Sequence, residues 1–245
     1  MRLNINCGVL IIGSLFWDNN QGKHINQRKN WRKSKLSITK SIHVKVPIRY
    51  GRESGKIPKT YTMVFSKEAE KKNELGTAYL VPIKRANIAF FKGLQSQAEF
   101  LSEAEGIEDK KIVKGNKKKW CTIGLIVNPK LSTEKKDYIL NKWKDIINNQ
   151  GLKDDDKNYK IGNEESVLSE RGEIFINWIT AIDNENQTII DEFDIVLASA
   201  TKPNLRSYPL PKELIERNKM DKRKYFYNNI KNGIFTFLDT ELINI

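Results

Sequence analysis

The stretch that most restricts this chain is Val9-Leu10-Ile11-Ile12, an apolar run closed at once by Gly13-Ser14. A continuous run of this kind is expected of a strand buried on both faces, so the fold must place material on either side of a sheet. Glycine directly after such a strand lets the backbone turn sharply and bares consecutive amides at the strand end. The first candidate binding feature therefore sits where the first buried strand stops.

The rest of the chain supplies both elements of a mixed fold. Ile42 to Ile48 alternates, with Ile42, Val44, Val46 and Ile48 on one face, and reads as a half-buried strand. Thr60 to Ser66, Gly76 to Pro82 and Trp120 to Asn128 are β-branched or apolar strands, and Tyr50 to Lys59, with Gly51, Gly55 and Pro58, reads as a loop. Ala86 to Glu105 carries Ile88, Phe91, Leu94, Ala98 and Leu101 at helical spacing, and Gly106 follows in the position of a helix-ending glycine. Asp18 to Lys35 reads as a loop leading into a short helix or strand. A second helix is expected from Ser132 or Thr133 to about Asn149, with Asp154 to Asp156 a solvated turn. Ile174 to Ile182 and Thr188 to Ala200 read as a strand hairpin, Pro211 to Lys219 and Asp221 to Ile230 as short helices, and Ile234 to Leu238 as a last strand. The expected class is α+β: a core over residues 1–128 and a helical and β-hairpin elaboration over 129–245 packed on it as one domain, with the basic stretch Lys110 to Lys119 as the best internal boundary.

Composition narrows the setting. No apolar run approaches the roughly 20 residues of a membrane-spanning helix, and Val9 to Phe16 lacks the flanks of a secretory signal, so no membrane partner and a cytoplasmic location are expected. The two cysteines, Cys7 and Cys121, make no disulfide framework, and with only His24 and His43 beside them there is no zinc-like spacing. Asp191, Glu192 and Asp194 lack the lysine in register that a metal nuclease would offer, and read as solvated carboxylates. Forty-three Lys and Arg against 30 Asp and Glu leave a net charge of +13. That balance admits nucleic acid as a partner, but the basic residues are spread along the chain, which favours solvated lysines.

Two stretches carry chemistry. Gly13-Ser14-Leu15 presents main-chain N–H groups to a carboxylate or a developing oxyanion. Leu101-Ser102-Glu103-Ala104-Glu105-Gly106 puts two carboxylates at a helix end, where burial of one would raise its pKa and suit it to carry protons. A third stretch, Arg49-Tyr50-Gly51-Arg52-Glu53-Ser54-Gly55-Lys56, combines cations and a tyrosine beside the presumed pocket, which makes Tyr50 and Arg52 candidate ligand contacts.

Gly13-Ser14-Leu15-Phe16-Trp17 resembles the Gly-Ser-Leu-Ile-Trp turn of ChaC-like γ-glutamylcyclotransferases. Gly76-Thr77-Ala78-Tyr79 is similar to the family's Gly-x-x-Tyr/Trp strand, and Leu101-x-x-x-Glu105-Gly106 to its Leu-Asp-x-x-Glu-Gly segment. The likeness runs over about residues 8 to 128. It departs from the family at Ile12, where tyrosine is usual, at Ser102 in place of aspartate, and at Lys118-Lys119-Trp120 in place of Gly-x-Tyr. The resemblance implies a small mixed β-barrel in which a γ-glutamyl amine cyclises to 5-oxoproline without a metal or organic cofactor. Gly13, Ser14 and Leu15 would hold the glutamyl portion and Glu105 would be the general acid/base. Two other readings stay open: a catalytically silent module binding a small anion or nucleotide on the same fold, and a basic nucleic-acid-associated protein.

Overall fold

The computed structural model describes residues 4–19, 26–55, 59–88, 91–107, 112, 120–149, 158–221 and 224–239. Its strands are β1 (Ile5–Ile11), β2 (Ile42–Val46), β3 (Ile48–Ser54), β4 (Thr60–Phe65), β5 (Gly76–Ile88), β6 (Cys121–Val127), β7 (Thr180–Ala181) and β8 (Ile195–Thr201). Its helices are α1 (Gln27–Lys35), α2 (Lys67–Lys71), α3 (Phe91–Glu105), α4 (Thr133–Asn149), α5 (Gln187–Asp191), α6 (Pro211–Met220) and α7 (Tyr225–Lys231). The architecture is α+β, built on a six-stranded mixed sheet of order β6-β8-β1-β5-β2-β7. β3 and β4 form a separate two-stranded sheet.

β1 lies inside the large sheet, as its unbroken apolar run requires. It runs antiparallel to β5, with Val9 opposite Val81, and parallel to β8, with Leu10 opposite Ala198. Alternation then divides its side chains between two cores. Ile5, Cys7, Val9 and Ile11 face the layer made by α1, α3 and α4, where Trp31, Leu94, Leu101 and Trp143 are buried. Leu10 faces the opposite layer, where β3, β4, α6 and α7 bury Tyr50, Phe65, Leu214 and Phe226. No described helix is long and apolar enough to cross a membrane. Cys7 and Cys121 are both buried and are not joined in a disulfide.

Several expected boundaries move. The stretch read as a loop from Tyr50 is strand as far as Ser54, and Gly51 is a bulge: the pairing with β4 shifts between Tyr50 and Arg52. β5 continues to Ile88 because Asn87 and Ile88 still pair with Asn6 and Ile5, so the helix expected from Ala86 begins at Phe91. The hairpin expected over 174–200 is absent. β7 is two residues long and pairs with β2 at the sheet edge, and residues 187–191 are the helix α5. Local side chains turn the chain there: Asp183 accepts the Glu185 amide at 3.0 Å, and Gln187 accepts the Ala181 amide at 2.9 Å. The last expected strand reduces to one bridge, Thr77 to Phe235. Asp154 to Asp156 lie outside the described residues, as do Lys110 to Lys119 apart from Ile112.

Candidate functional site

β1 and β8 are parallel, so their C-terminal ends open on the same side of the sheet. A cavity of about 460 Å³ lies there. Its floor is the turn after β1, where Phe16 donates its amide to Gly13 at 3.1 Å and Asp18 to Ser14 at 2.8 Å. This is one helical turn, and its first amides have no carbonyl behind them. Among the described residues no acceptor takes the Ser14 or Leu15 N–H. Two arginines one turn apart on α1 hold the turn in place. Arg32, buried, donates to the carbonyls of Leu15 and Asp18. Arg28 donates to the Ser14 hydroxyl at 3.0 Å and pairs with Asp18 at 2.8 Å.

Glu105 reaches the same cavity from the last turn of α3. The helix stops there because Gly106 takes φ +80°, and the amides of Gly106 and Ile107 close back on Glu103 and Ser102 at 2.9 and 3.0 Å. The Glu105 side chain is 12% exposed, and its Oε2 lies 3.8 Å from Nη2 of Arg28. Burial pushes its carboxyl above the usual glutamate range; the Arg28 charge and, more weakly, the Ser199 hydroxyl pull it back. That hydroxyl is itself buried in the wall, and among the described residues it completes no hydrogen bond of normal geometry.

The opposite end of the cavity is lined by Arg52, Thr62, Trp120 and Thr201. Arg52 is anchored by donating to the Lys202 carbonyl at 2.7 Å. Tyr225, from α7, closes the space over the turn: a Cβ at position 13 would stand 2.9 Å from its phenol oxygen, so a larger residue there would have to push the phenol aside. Burial pushes the Tyr225 phenol up to about 12, against the weaker opposing influence of Asn229 and the Met63 backbone, so it stays a neutral hydroxyl.

Gly13, Ser14, Leu15, Arg52 and Glu105 thus border one cavity. Tyr50 does not. It is 1% exposed in the core, its ring packs on Phe226 with centroids 4.9 Å apart, and its hydroxyl donates to Asp239 at 2.9 Å. The bulge at Gly51 separates the two candidates, sending Tyr50 inward and leaving Arg52 on the cavity. Glu103, the second carboxylate of the helix end, is not part of the lining. Arg28, Ser199 and Tyr225 were not anticipated. The signals were present as two arginines at i, i+4 around Trp31 and as Ser199 and Thr201 at alternate positions of an otherwise apolar strand, but neither points to a pocket without the long-range pairing. Among the described residues no three His, Cys, Asp or Glu side chains converge as metal ligands do. Comparison with protein-family models, with curated proteins and with solved structures finds no match.

Proposed function

We propose that this protein is a γ-glutamylcyclotransferase-like enzyme acting on a small γ-glutamyl amine, with Glu105 as its general acid/base. The observation that carries the reading is one juxtaposition: a carboxyl shielded enough to have a raised pKa borders the same cavity as the turn after β1, whose Ser14 and Leu15 amides meet no acceptor among the described residues. On this reading the Ser14 and Leu15 amides, with the Gly13 backbone, hold the glutamyl portion. Glu105 as carboxylate takes a proton from the substrate's α-ammonium. The freed amine attacks the γ-carbonyl, a C–N bond closes the five-membered ring, and the amide C–N bond breaks as Glu105 returns the proton to the departing amine. Folding both reacting groups of one molecule into contact supplies much of the acceleration. A raised pKa makes Glu105 a stronger base than an exposed glutamate, and the Arg28 charge keeps enough of it ionised to act. The large sheet together with the β3–β4 pair would then be the counterpart of the family's small barrel. Two buried cysteines not joined in a disulfide suit a cytosolic setting.

The test is incubation with γ-glutamyl dipeptides and with glutathione, followed by an assay for 5-oxoproline. Product is expected from the native chain, and Glu105→Gln is expected to lower kcat by at least about a hundredfold, the scale of a lost general base. Full activity in that variant would remove the mechanism. A second reading has its own observation, the ion pair between Arg28 and Glu105. A carboxylate committed to an arginine serves ligand binding without turnover, and tight binding of a γ-glutamyl compound with no 5-oxoproline would favour it.

A further inference from the structure

A second cavity, of about 510 Å³, shares no lining residue with the first. Arg49 of β3, Glu68 and Lys71 of α2, and the segments 161–164 and 206–208 border it. Two carboxylates, Glu68 and Glu164, stand in the lining, and both are occupied. Glu164 accepts from the Ser66 hydroxyl at 3.2 Å, the amides of Glu68 and Ile161 at 2.9 and 3.0 Å, and the Tyr208 phenol, which takes up the lone pairs a carboxylate offers. Glu68 is held by Lys72 at 2.6 Å, the main reason its carboxyl lies below the usual glutamate range. Arg49 is not matched in this way. Its side chain is 15% exposed, and among the described residues its guanidinium donates once, to Glu68 at 3.3 Å; Glu74 lies farther off, at 3.9 Å. The guanidinium stacks 4.3 Å from the centre of the Tyr208 ring, whose phenol is pinned by Glu164, so the fork is fixed while most of its N–H donors stay unused. Arg206 is exposed on the same cavity, and among the described residues neither it nor the Ser207 hydroxyl has a partner. Lys71 reaches Glu165 at 3.8 Å, and both are well exposed, so that pair has little strength.

We infer that this second cavity binds a small phosphate monoester, its phosphate held between Arg49 and Arg206 with the Ser207 hydroxyl as a further donor, and its organic portion along Ile161 and Tyr208. Two guanidinium forks on one cavity call for more oxygens than a carboxylate has, because a single fork already saturates a carboxylate in a bidentate pair. A phosphate monoester brings three terminal oxygens and about two negative charges at neutral pH, enough for both. The space is that of a small-molecule site, typically about 300–1,000 Å³, and the buried Ile161 gives it an apolar wall, so the phosphate carries an organic group. The two arginines of the Arg49–Arg52 stretch thus serve different cavities. The site is separate from Glu105 and does not rest on the γ-glutamyl reading.

Four probes are titrated calorimetrically into the full chain: ribose 5-phosphate, adenosine 5′-monophosphate, ribose, and gluconate as a carboxylate of similar size. At least one of the two phosphates is expected to bind, the tighter of them identifying the organic portion, with ribose silent and gluconate at least about tenfold weaker. Arg206→Gln and Arg49→Gln are each expected to weaken phosphate binding about ten- to hundredfold, the scale of a lost charge-assisted contact. Arg52→Gln, in the first cavity, is expected to leave it unchanged. Arg206 is exposed, so its substitution should not disturb folding, and circular dichroism checks both variants. Arg49 also ties α2 to Tyr208; should Arg49→Gln not fold, Arg206→Gln decides alone. Failure of both phosphates to bind at millimolar concentration overturns the site. So does phosphate binding that Arg206→Gln leaves intact, or that Arg52→Gln abolishes, since the ligand would then lie elsewhere on a basic chain. Gluconate binding as tightly as the phosphates overturns the assignment to phosphate.

Discussion

At Arg28 a single guanidinium donates to the Ala104 carbonyl and the Ser14 hydroxyl, pairs with Asp18, and lies 3.8 Å from Glu105. It joins the turn after β1 to the end of α3, and it also opposes the burial that raises the Glu105 pKa. These two effects have different signatures. For a base that must be ionised, kcat/KM falls as pH drops through its pKa, and in the native chain that limb should lie above the ordinary glutamate value of 4.5. Arg28→Gln removes the cation but leaves an amide able to donate to Ser14. Glu105 then loses its main stabilising charge, its pKa rises further, and the acid limb should move to higher pH, while activity on the alkaline side changes less. A pH–rate profile measures this directly. An unmoved limb with uniformly lower kcat would mean that Arg28 acts only by holding the junction together, as a positioning residue without electrostatic influence on the acid.

Residues 233–239 are held against β3 and β5 by one bridge and by polar contacts. Thr77 of β5 donates its amide to Phe235 at 2.7 Å and its hydroxyl to Gly233 at 2.6 Å, while Tyr50 of β3 and the Thr236 amide donate to Asp239. Burial raises the Asp239 carboxyl from 3.8 to about 6 despite these donors. The folded chain therefore binds a proton there more tightly than the unfolded one. Its contribution to stability is complete below about pH 4 and is lost as pH rises through about 6. A shift of this size corresponds to about 3 kcal/mol. Asp239→Asn, which cannot ionise, should remove that slope, so the difference in unfolding free energy between native and variant chains should change by this order between pH 4 and 7. Urea titrations at each pH check it, and a constant difference would exclude the linkage. The Tyr50–Asp239 contact spans 189 residues, which is why Tyr50 reads as a ligand contact in sequence: nothing local marks an aromatic between two arginines as core. By contrast, β1, β4, β6, the C-terminal end of α3 and both ends of α4 were legible, because each is written in a local pattern of burial period and stop signal. The region from Ile174 to Asp191 was not, although the later part of the strand expected to Ala200 is present as β8. Its apolar residues suit strands, but Asp183 and Gln187 capture backbone amides and impose turns that propensity does not register.

Chain order and sheet order disagree most at β8. It lies between β6 and β1, and its residues from Ile195 to Ala200 are all buried, so the last third of the chain supplies the interior of a sheet whose other central strands come from the first third. A division at residue 128 suggests itself in sequence because the γ-glutamylcyclotransferase-like motifs end there. In space it removes the sheet neighbour of β6, β8, and the parallel partner of β1, along with the Ser199, Thr201 and Tyr225 walls of the cavity. β1 would then present an apolar edge with unpaired amides, the arrangement that folded proteins avoid. The fragment 1–128 should consequently lack a cooperative thermal transition and should aggregate, whereas the whole chain melts as one unit. Adding a separately expressed 129–245 fragment should restore a transition if β8 can still insert. Scanning calorimetry on the fragment alone and on the mixture reads both outcomes. A sharp, reversible transition from 1–128 alone would mean that the first-half strands complete a sheet among themselves, and the site would then have to be rebuilt without β8.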